Sequence, residues 1–248
     1  MPHPALELQG LTRMYGEFLA VDHIDLAVER GEIFSLLGPN GSGKTTTIKM
    51  IMGLLKPSSG SAMVLGLDCF SEHPQVMARV GYMPDEPAFY DFLTGAETIM
   101  FVGEMHGISR RDSLAKSRPL LDQFELADAA GEYAVNYSRG MKKKLALICA
   151  LLHDPDLLLL DEPTSGLDPF ATRALTSMIS ALAESGKTIF FSTHILEQAE
   201  KISTRIGILH KSKLAAVGKL NELRAATSSN SSLEEIFFLV AAKAEHEE

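Results

Sequence analysis

The chain has 248 residues, 23 Lys+Arg against 32 Asp+Glu, a net charge of −9, 46% hydrophobic and 22% charged residues. That length fits one large α/β domain or two small ones, and the composition excludes a disordered or fibrous chain. The acidic balance argues against nucleic-acid binding by bulk charge, so no nucleic-acid partner is expected. The longest apolar run, 145–152, is far short of the ~20 residues that cross a bilayer, and no basic-then-apolar leader opens the sequence. Cys69 and Cys149 have neither zinc-site nor redox spacing. The expectation is a soluble cytosolic protein.

In chain order, Ile24, Leu26 and Val28 alternate with Asp25, Ala27 and Glu29, the period of a half-buried antiparallel strand. Residues 32–37 read as a buried strand, followed by a glycine-rich turn and a helix over 43–52. Residues 56–60 form a turn. From 84 to 152 the pattern is chiefly helical. Thr94 and Glu97 have capping-box spacing, and further helices are expected over 110–124 and 140–152. Buried strands follow at 157–160 and 188–192, with a helix between them capped by Asp168 and begun by Pro169. Strands at 206–209 and 214–217 come next. Residues 225–232 read as a linker and 234–240 as a short amphipathic helix.

The strongest chemical signal is Gly38-Pro39-Asn40-Gly41-Ser42-Gly43-Lys44-Thr45, which fits G-x-x-x-x-G-K-[ST] between a predicted strand and helix. Glycines let successive N–H groups turn inward on a phosphate chain, and the helix start adds its positive dipole end. Lys44 reaches the β/γ-phosphates, and the Thr45 hydroxyl takes a Mg²⁺ position. The second signal is residues 157–162, LLLLDE, a buried strand ending in Asp161 and Glu162. Carboxylates at the carboxyl edge of a parallel sheet lie where ligands bind. Asp161 suits Mg²⁺, through water, and Glu162 suits proton abstraction from an attacking water.

Together with Tyr137-Ser138-Arg139-Gly140-Met141, Ser165-Gly166-Leu167-Asp168 and His194, these residues give the chain a resemblance to ATP-binding cassette (ABC) ATPases from about residue 6 to 240. The tail Leu233-Glu234-Glu235-Ile236-Phe237 is similar to the exporter-type branch of multidrug, antibiotic-resistance and sodium-export cassettes. The resemblance implies an α/β fold: a P-loop NTPase (RecA-like) core with an N-terminal antiparallel β subdomain and a helical insertion. It implies one ATPase domain over 1–240, with core 1–83 and 153–224, helical subdomain 84–152, and a linker, amphipathic helix and acidic tail over 225–248.

The resemblance further implies that Tyr15 stacks on adenine and that residues 38–46, ending in Thr46, cradle the phosphates. It implies that Ser138 and Gly140 face the nucleotide of a partner subunit, that Asp168 communicates across the dimer, and that His194 contacts the γ-phosphate. Glu162, His194 and Lys44 form the catalytic set. Two positions depart from the family pattern. Asp85 stands near the usual glutamine, as a metal-side residue alongside Thr45 and Asp161, and Arg139 and Met141 replace the commoner Gly and Gln of the signature. The implied activity is MgATP hydrolysis for a separate membrane permease, in the direction of export, by a homodimer or heterodimer on the inner face of the plasma membrane. The alternatives are a soluble assembly factor, such as an iron–sulfur cluster scaffold, and a P-loop kinase or DNA-associated ATPase.

Overall fold

A computed structural model describes residues 3–227 and 232–246. The chain opens with a hairpin, β1 (Leu6–Tyr15) and β2 (Phe18–Val28), then β3 (Ile33–Leu37) runs into α1 (Lys44–Ile51). After β4 (Ser59–Val64) and the short β5 (Leu67–Asp68) come α2 (His73–Met77) and β6 (Val80–Met83). The expected helical stretch contains α3 (Gly95–Met105), α4 (Arg110–Gln123) and α5 (Arg139–Leu151). Strand–helix alternation resumes with β7 (Leu157–Asp161), α6 (Pro169–Glu184), β8 (Thr188–Thr193) and α7 (Leu196–Ile202). β9 (Arg205–His210), β10 (Lys213–Gly218), α8 (Leu220–Thr227) and α9 (Leu233–His246) follow.

Two sheets result. One is antiparallel, in the order β2-β1-β4-β5; the other has the order β10-β9-β3-β8-β7-β6, parallel except for its β10 edge. The four-leucine run of β7 shows why a central parallel strand loses the alternation of a half-exposed one. Leu157 and Leu159 pack with α1 and the antiparallel sheet, whereas Leu158 and Leu160 pack with α5 and α6 on the opposite face. Successive side chains point to opposite faces, and both faces are covered. All four leucines are fully buried, each contributing about 1.5–3 kcal/mol relative to exposure. A third cluster joins β9 to α7, α8 and α9 through Ile206, Ala199, Leu223 and Ile236.

The expected elements form, with corrections; Ser59 and Gly60, read as part of a turn, already belong to β4. The N-terminal alternation of β2 holds from Ile24 to Val28, but its partner β1 was not expected, because register shifts between Leu8 and Leu11 break its period. Residues 225–227, read as linker, close α8; residues 228–231 of that stretch lie outside the described residues. The C-terminal helix runs to His246 rather than ending at 240, and residues 247–248 of the expected acidic tail lie outside the described residues. Thr94 and Glu97 form the capping box in full, the Thr94 hydroxyl accepting from the Glu97 N–H and the Glu97 carboxylate from the Thr94 N–H.

Candidate functional site

Because β3, β8 and β7 are adjacent and parallel, their carboxyl ends open on one edge of the sheet. Register fixes the neighbours: Leu37 pairs with Thr193 and Asp161 with Ser192. The loop 38–43, the pair Asp161–Glu162 and His194 therefore meet there, although 117 residues of sequence (161 − 44) separate Lys44 from Asp161.

The loop is built for close approach. Gly43 has φ 107°, and a Cβ there would lie 2.4 Å from the Ala20 carbonyl oxygen of β2, so only glycine fits at this position. Lys44 is buried, and its ammonium donates to the carbonyls of Gly38 (2.8 Å) and Pro39 (3.1 Å). It also lies 3.3 Å from Glu162 Oε1. That contact is a charge pair without hydrogen-bond geometry, so Glu162 Oε1 and the nearby Ser42 hydroxyl are buried without a hydrogen-bond partner. Buried polar atoms of this kind call for a ligand.

Asp161 sits 2% exposed at the end of β7. Burial pushes its carboxyl above the usual carboxylate range, and the charges of Glu162 and Asp85 push the same way; hydrogen bonds from Ser192 and Thr45 oppose them. The Ser192 hydroxyl donates to Asp161 Oδ1 at 2.5 Å and accepts from the Glu162 N–H at 3.0 Å. Glu162 Oε2 lies 2.9 Å from His194 Nδ1. An ionised carboxylate can only accept, so Nδ1 carries the hydrogen and donates to Glu162. A crowded carboxylate group beside the exposed Thr45, whose hydroxyl bonds Asp161, suits a divalent cation, which would offset the repulsion between Asp161 and Glu162.

The structure thus brings Lys44, Thr45, Asp161, Glu162 and His194 together. Tyr15 lies at the end of the hairpin whose second strand passes Gly43; it is half-exposed, with the Arg13 guanidinium 4.6 Å from its ring centroid. Asn40 and Gly41 are exposed at the loop tip, and Thr46 is half-buried in α1. Ser138 is the N-cap of α5, its hydroxyl accepting from the Met141 N–H. Among the described residues no hydrogen bond joins Ser138 or Gly140 to residues 38–46. Asp168 caps α6, accepting from the Phe170 and Ala171 N–H groups at 2.9 Å each, and its carboxyl lies below the usual range chiefly through the Ala171 bond.

Asp85 has partners that the sequence did not reveal. Its Oδ1 lies 3.1 Å from Lys143 Nζ and 3.5 Å from Arg139. Arg139 also reaches the Ser165 hydroxyl at 3.4 Å, which orients this unusual signature residue towards the turn after Glu162. Two functional residues were missed, Ser192 and Lys143. Lys143 hides in a run of three lysines that reads as a solvated face. Helical spacing does not separate it from its neighbour, because Lys142 and Lys143 are both followed by buried residues four and seven positions on.

A second concavity, of about 840 Å³, opens between α2, α3 and α5. It is lined by Met77, Tyr82, Met105, His106 and His153 among others, and the two histidine rings stack at 3.8 Å. In the segment after β6, the Tyr90 ring centroid lies 5.4 Å from that of the exposed Phe92 and 5.6 Å from that of Phe101 on α3.

The family model described as ABC transporter matches residues 21–165. The chain is 40% identical over 225 residues to the probable multidrug ABC transporter ATP-binding protein YbhF of Escherichia coli K12, covering 91% of this chain and 39% of that protein. It therefore spans about two fifths of that relative's length. It is 36% identical over 229 residues to the daunorubicin/doxorubicin resistance ATP-binding protein DrrA of Streptomyces peucetius, covering 92% of this chain and 69% of that one. A solved structure of an ATP-binding subunit of an ABC transporter superposes with a TM-score of 0.89 at 32% identity, covering 95% of this chain and 99% of that one.

Proposed function

The chain belongs to the ABC transporter ATP-binding family, and from that premise we propose that it hydrolyses MgATP to drive a separate membrane permease, in the direction of export. The observation that carries the hydrolytic reading is the convergence of Lys44, Glu162 and His194 at one sheet edge, with buried Glu162 Oε1 3.3 Å from the lysine ammonium.

Each residue has a step. The N–H groups of residues 38–46 cradle the phosphates, and the Lys44 ammonium exchanges its own loop carbonyls for phosphate oxygens. Glu162 receives the proton of the attacking water. His194, donating through Nδ1, fixes the rotamer of that carboxylate, and its Nε2 donates to the γ-phosphate only when that nitrogen carries a hydrogen as well. Thr45 and Asp161 are the residues to hold Mg²⁺, which when bound spreads the charge of the phosphate oxygens. Asp85, proposed on the metal side with Thr45 and Asp161, also carries Lys143 at 3.1 Å and Arg139 at 3.5 Å on its Oδ1. Tyr15 offers adenine an aromatic face. Catalysis is positioning plus neutralisation of charge.

Ser138 and Gly140 belong, on this reading, to the site of a second subunit: they lead a helix whose N-terminal N–H groups favour an anion. ATP then joins two copies head to tail. Among the described residues no helix is long and apolar enough to cross a membrane; on this reading a permease supplies the translocation path, and the chain works at the inner face of the plasma membrane. The exposed aromatic group of Tyr90, Phe92 and Phe101 supports a docking surface for it. Relatives named for drug transport and resistance favour export over an assembly factor.

Lys44→Ala tests the reading at its root. ATP binding, followed by calorimetry, is expected to weaken by at least ~10-fold with the loss of one charge-assisted contact. An unchanged affinity would remove the loop from phosphate binding.

A further inference from the structure

Glu162 is not glycine, yet it stands in the left-handed region with φ 46°. A non-glycine residue persists there only where its surroundings over-determine it, and such residues collect at functional sites. Here the flanking peptides are gripped from both ends. The Glu162 N–H donates to the Ser192 hydroxyl at 3.0 Å. The Glu162 carbonyl accepts from Lys143 Nζ at 2.5 Å and from the Ser165 N–H at 3.2 Å. Without Lys143, that carbonyl keeps only the longer bond.

Lys143 itself is 1% exposed. A buried ammonium persists only with partners, and the two it has are Glu162 O and Asp85 Oδ1. One of these lies at the end of β7 and the other just past β6, at the start of the helical stretch. The lysine on α5 therefore ties three elements at one atom. Asp85 matches the charge of Lys143 and directs its Nζ, while Arg139 braces the same carboxylate and the Ser165 turn.

We propose that Lys143, held by Asp85, is a positioning residue that fixes the backbone of Glu162 and so aims its carboxylate at the attacking water. The proposal rests on the assignment of Glu162 as the proton acceptor. It makes the placement of α5 and of the segment after β6 a determinant of catalytic geometry, because moving either shifts the ammonium that holds the Glu162 carbonyl.

Lys143→Met keeps the aliphatic stem and removes the donor. In the full chain, kcat for ATP is expected to fall about 10–100-fold, the scale of a misplaced reacting group, while KM changes by less than ~3-fold. Lys143→Gln, which restores a neutral donor, is expected to recover part of that loss, and Asp85→Asn to lose less than Lys143→Met. Hydrogen exchange over residues 161–166 is expected to rise in Lys143→Met and Asp85→Asn without nucleotide, a readout independent of turnover.

Combining Lys143→Met with Glu162→Gln separates aiming from general weakening, since residues acting as a unit are not additive. The double variant is expected to match Glu162→Gln alone. Wild-type kcat in Lys143→Met, or a second full loss in the double variant, overturns the proposal. If Lys143→Met does not fold, Asp85→Asn decides: lower kcat with faster exchange supports the tie, and unchanged kcat and exchange refute it. A Glu162→Gln variant that retains turnover refutes the assignment of Glu162 instead, and the exchange measurement still reports on the Lys143 tie.

Discussion

Replacing Glu162 by glutamine removes the proton acceptor while leaving almost every contact in place. The amide has the size of the carboxyl, the Ser192 and Lys143 bonds run to the backbone, and Oε2 can remain an acceptor for His194. A positioned general base contributes about 10²–10⁴ in rate, which is about 3–5 kcal/mol of barrier at 1.36 kcal/mol per decade. Stability changes less. Breaking a buried ion pair by deleting one member costs about 3–5 kcal/mol when the other is stranded, but Lys44 keeps the Gly38 and Pro39 carbonyls. Below about 2 kcal/mol is expected, a fall of a few degrees in Tm for a chain of this size. ATP binding is expected to hold or tighten, since a negative charge leaves the phosphate site. Single-turnover hydrolysis with excess enzyme, beside equilibrium nucleotide binding, measures both terms. A chemical step within ~10-fold of wild type would falsify the role given to Glu162.

Two further expectations concern stability. Gly43→Ala forces a Cβ to within 2.4 Å of a backbone oxygen at φ 107°. Strain and overpacking together set its cost at about 2–5 kcal/mol, against little change for Gly131→Ala, which has open space; equal unfolding midpoints for the two would contradict the close packing of loop on hairpin. The stacked His106–His153 pair gives an acid-sensitive term. Burial first, and His106 second, lower the His153 imidazole, and burial lowers His106. The folded state then binds fewer protons than the unfolded one as pH falls below the ordinary histidine range, so stability present at pH 7 is lost towards pH 5. His106→Phe keeps a ring against His153 and removes one titrating group. Its Tm is expected to fall less than that of wild type between those pH values, and an identical fall would rule the pair out.

What the sequence disclosed and what it hid divide along physical lines. Local signals were readable: the alternation of β2, the leucine run of β7, the capping box at Thr94 and the cap at Asp168 each depend on neighbours within a few positions. The convergence of Lys44, Asp161, Glu162 and His194 was readable too, because each follows a buried parallel strand and such strands open on one edge. Hidden were features set by distant partners. β1 is interrupted by register shifts, so its period fails although Leu6, Leu8 and Leu11 are buried. The two cations beside Asp85 were hidden because they sit more than fifty positions on, as 139 − 85 and 143 − 85 give. Lys143, between two other lysines, shows its buried face only when α5 is packed. Ser192 reads as one polar residue closing an apolar strand until β7 is laid beside it.

The account stands on a nucleotide held between the Lys44 loop of one copy and the Ser138 helix of another. Light scattering of Glu162→Gln protein, with and without saturating MgATP, addresses that directly. The account predicts a mass near that of a single chain without nucleotide and near twice that with it, and a return to the smaller mass when Ser138 is also replaced by a bulky residue. A single-chain mass at saturating MgATP, both for the protein alone and for its complex with a permease, contradicts it.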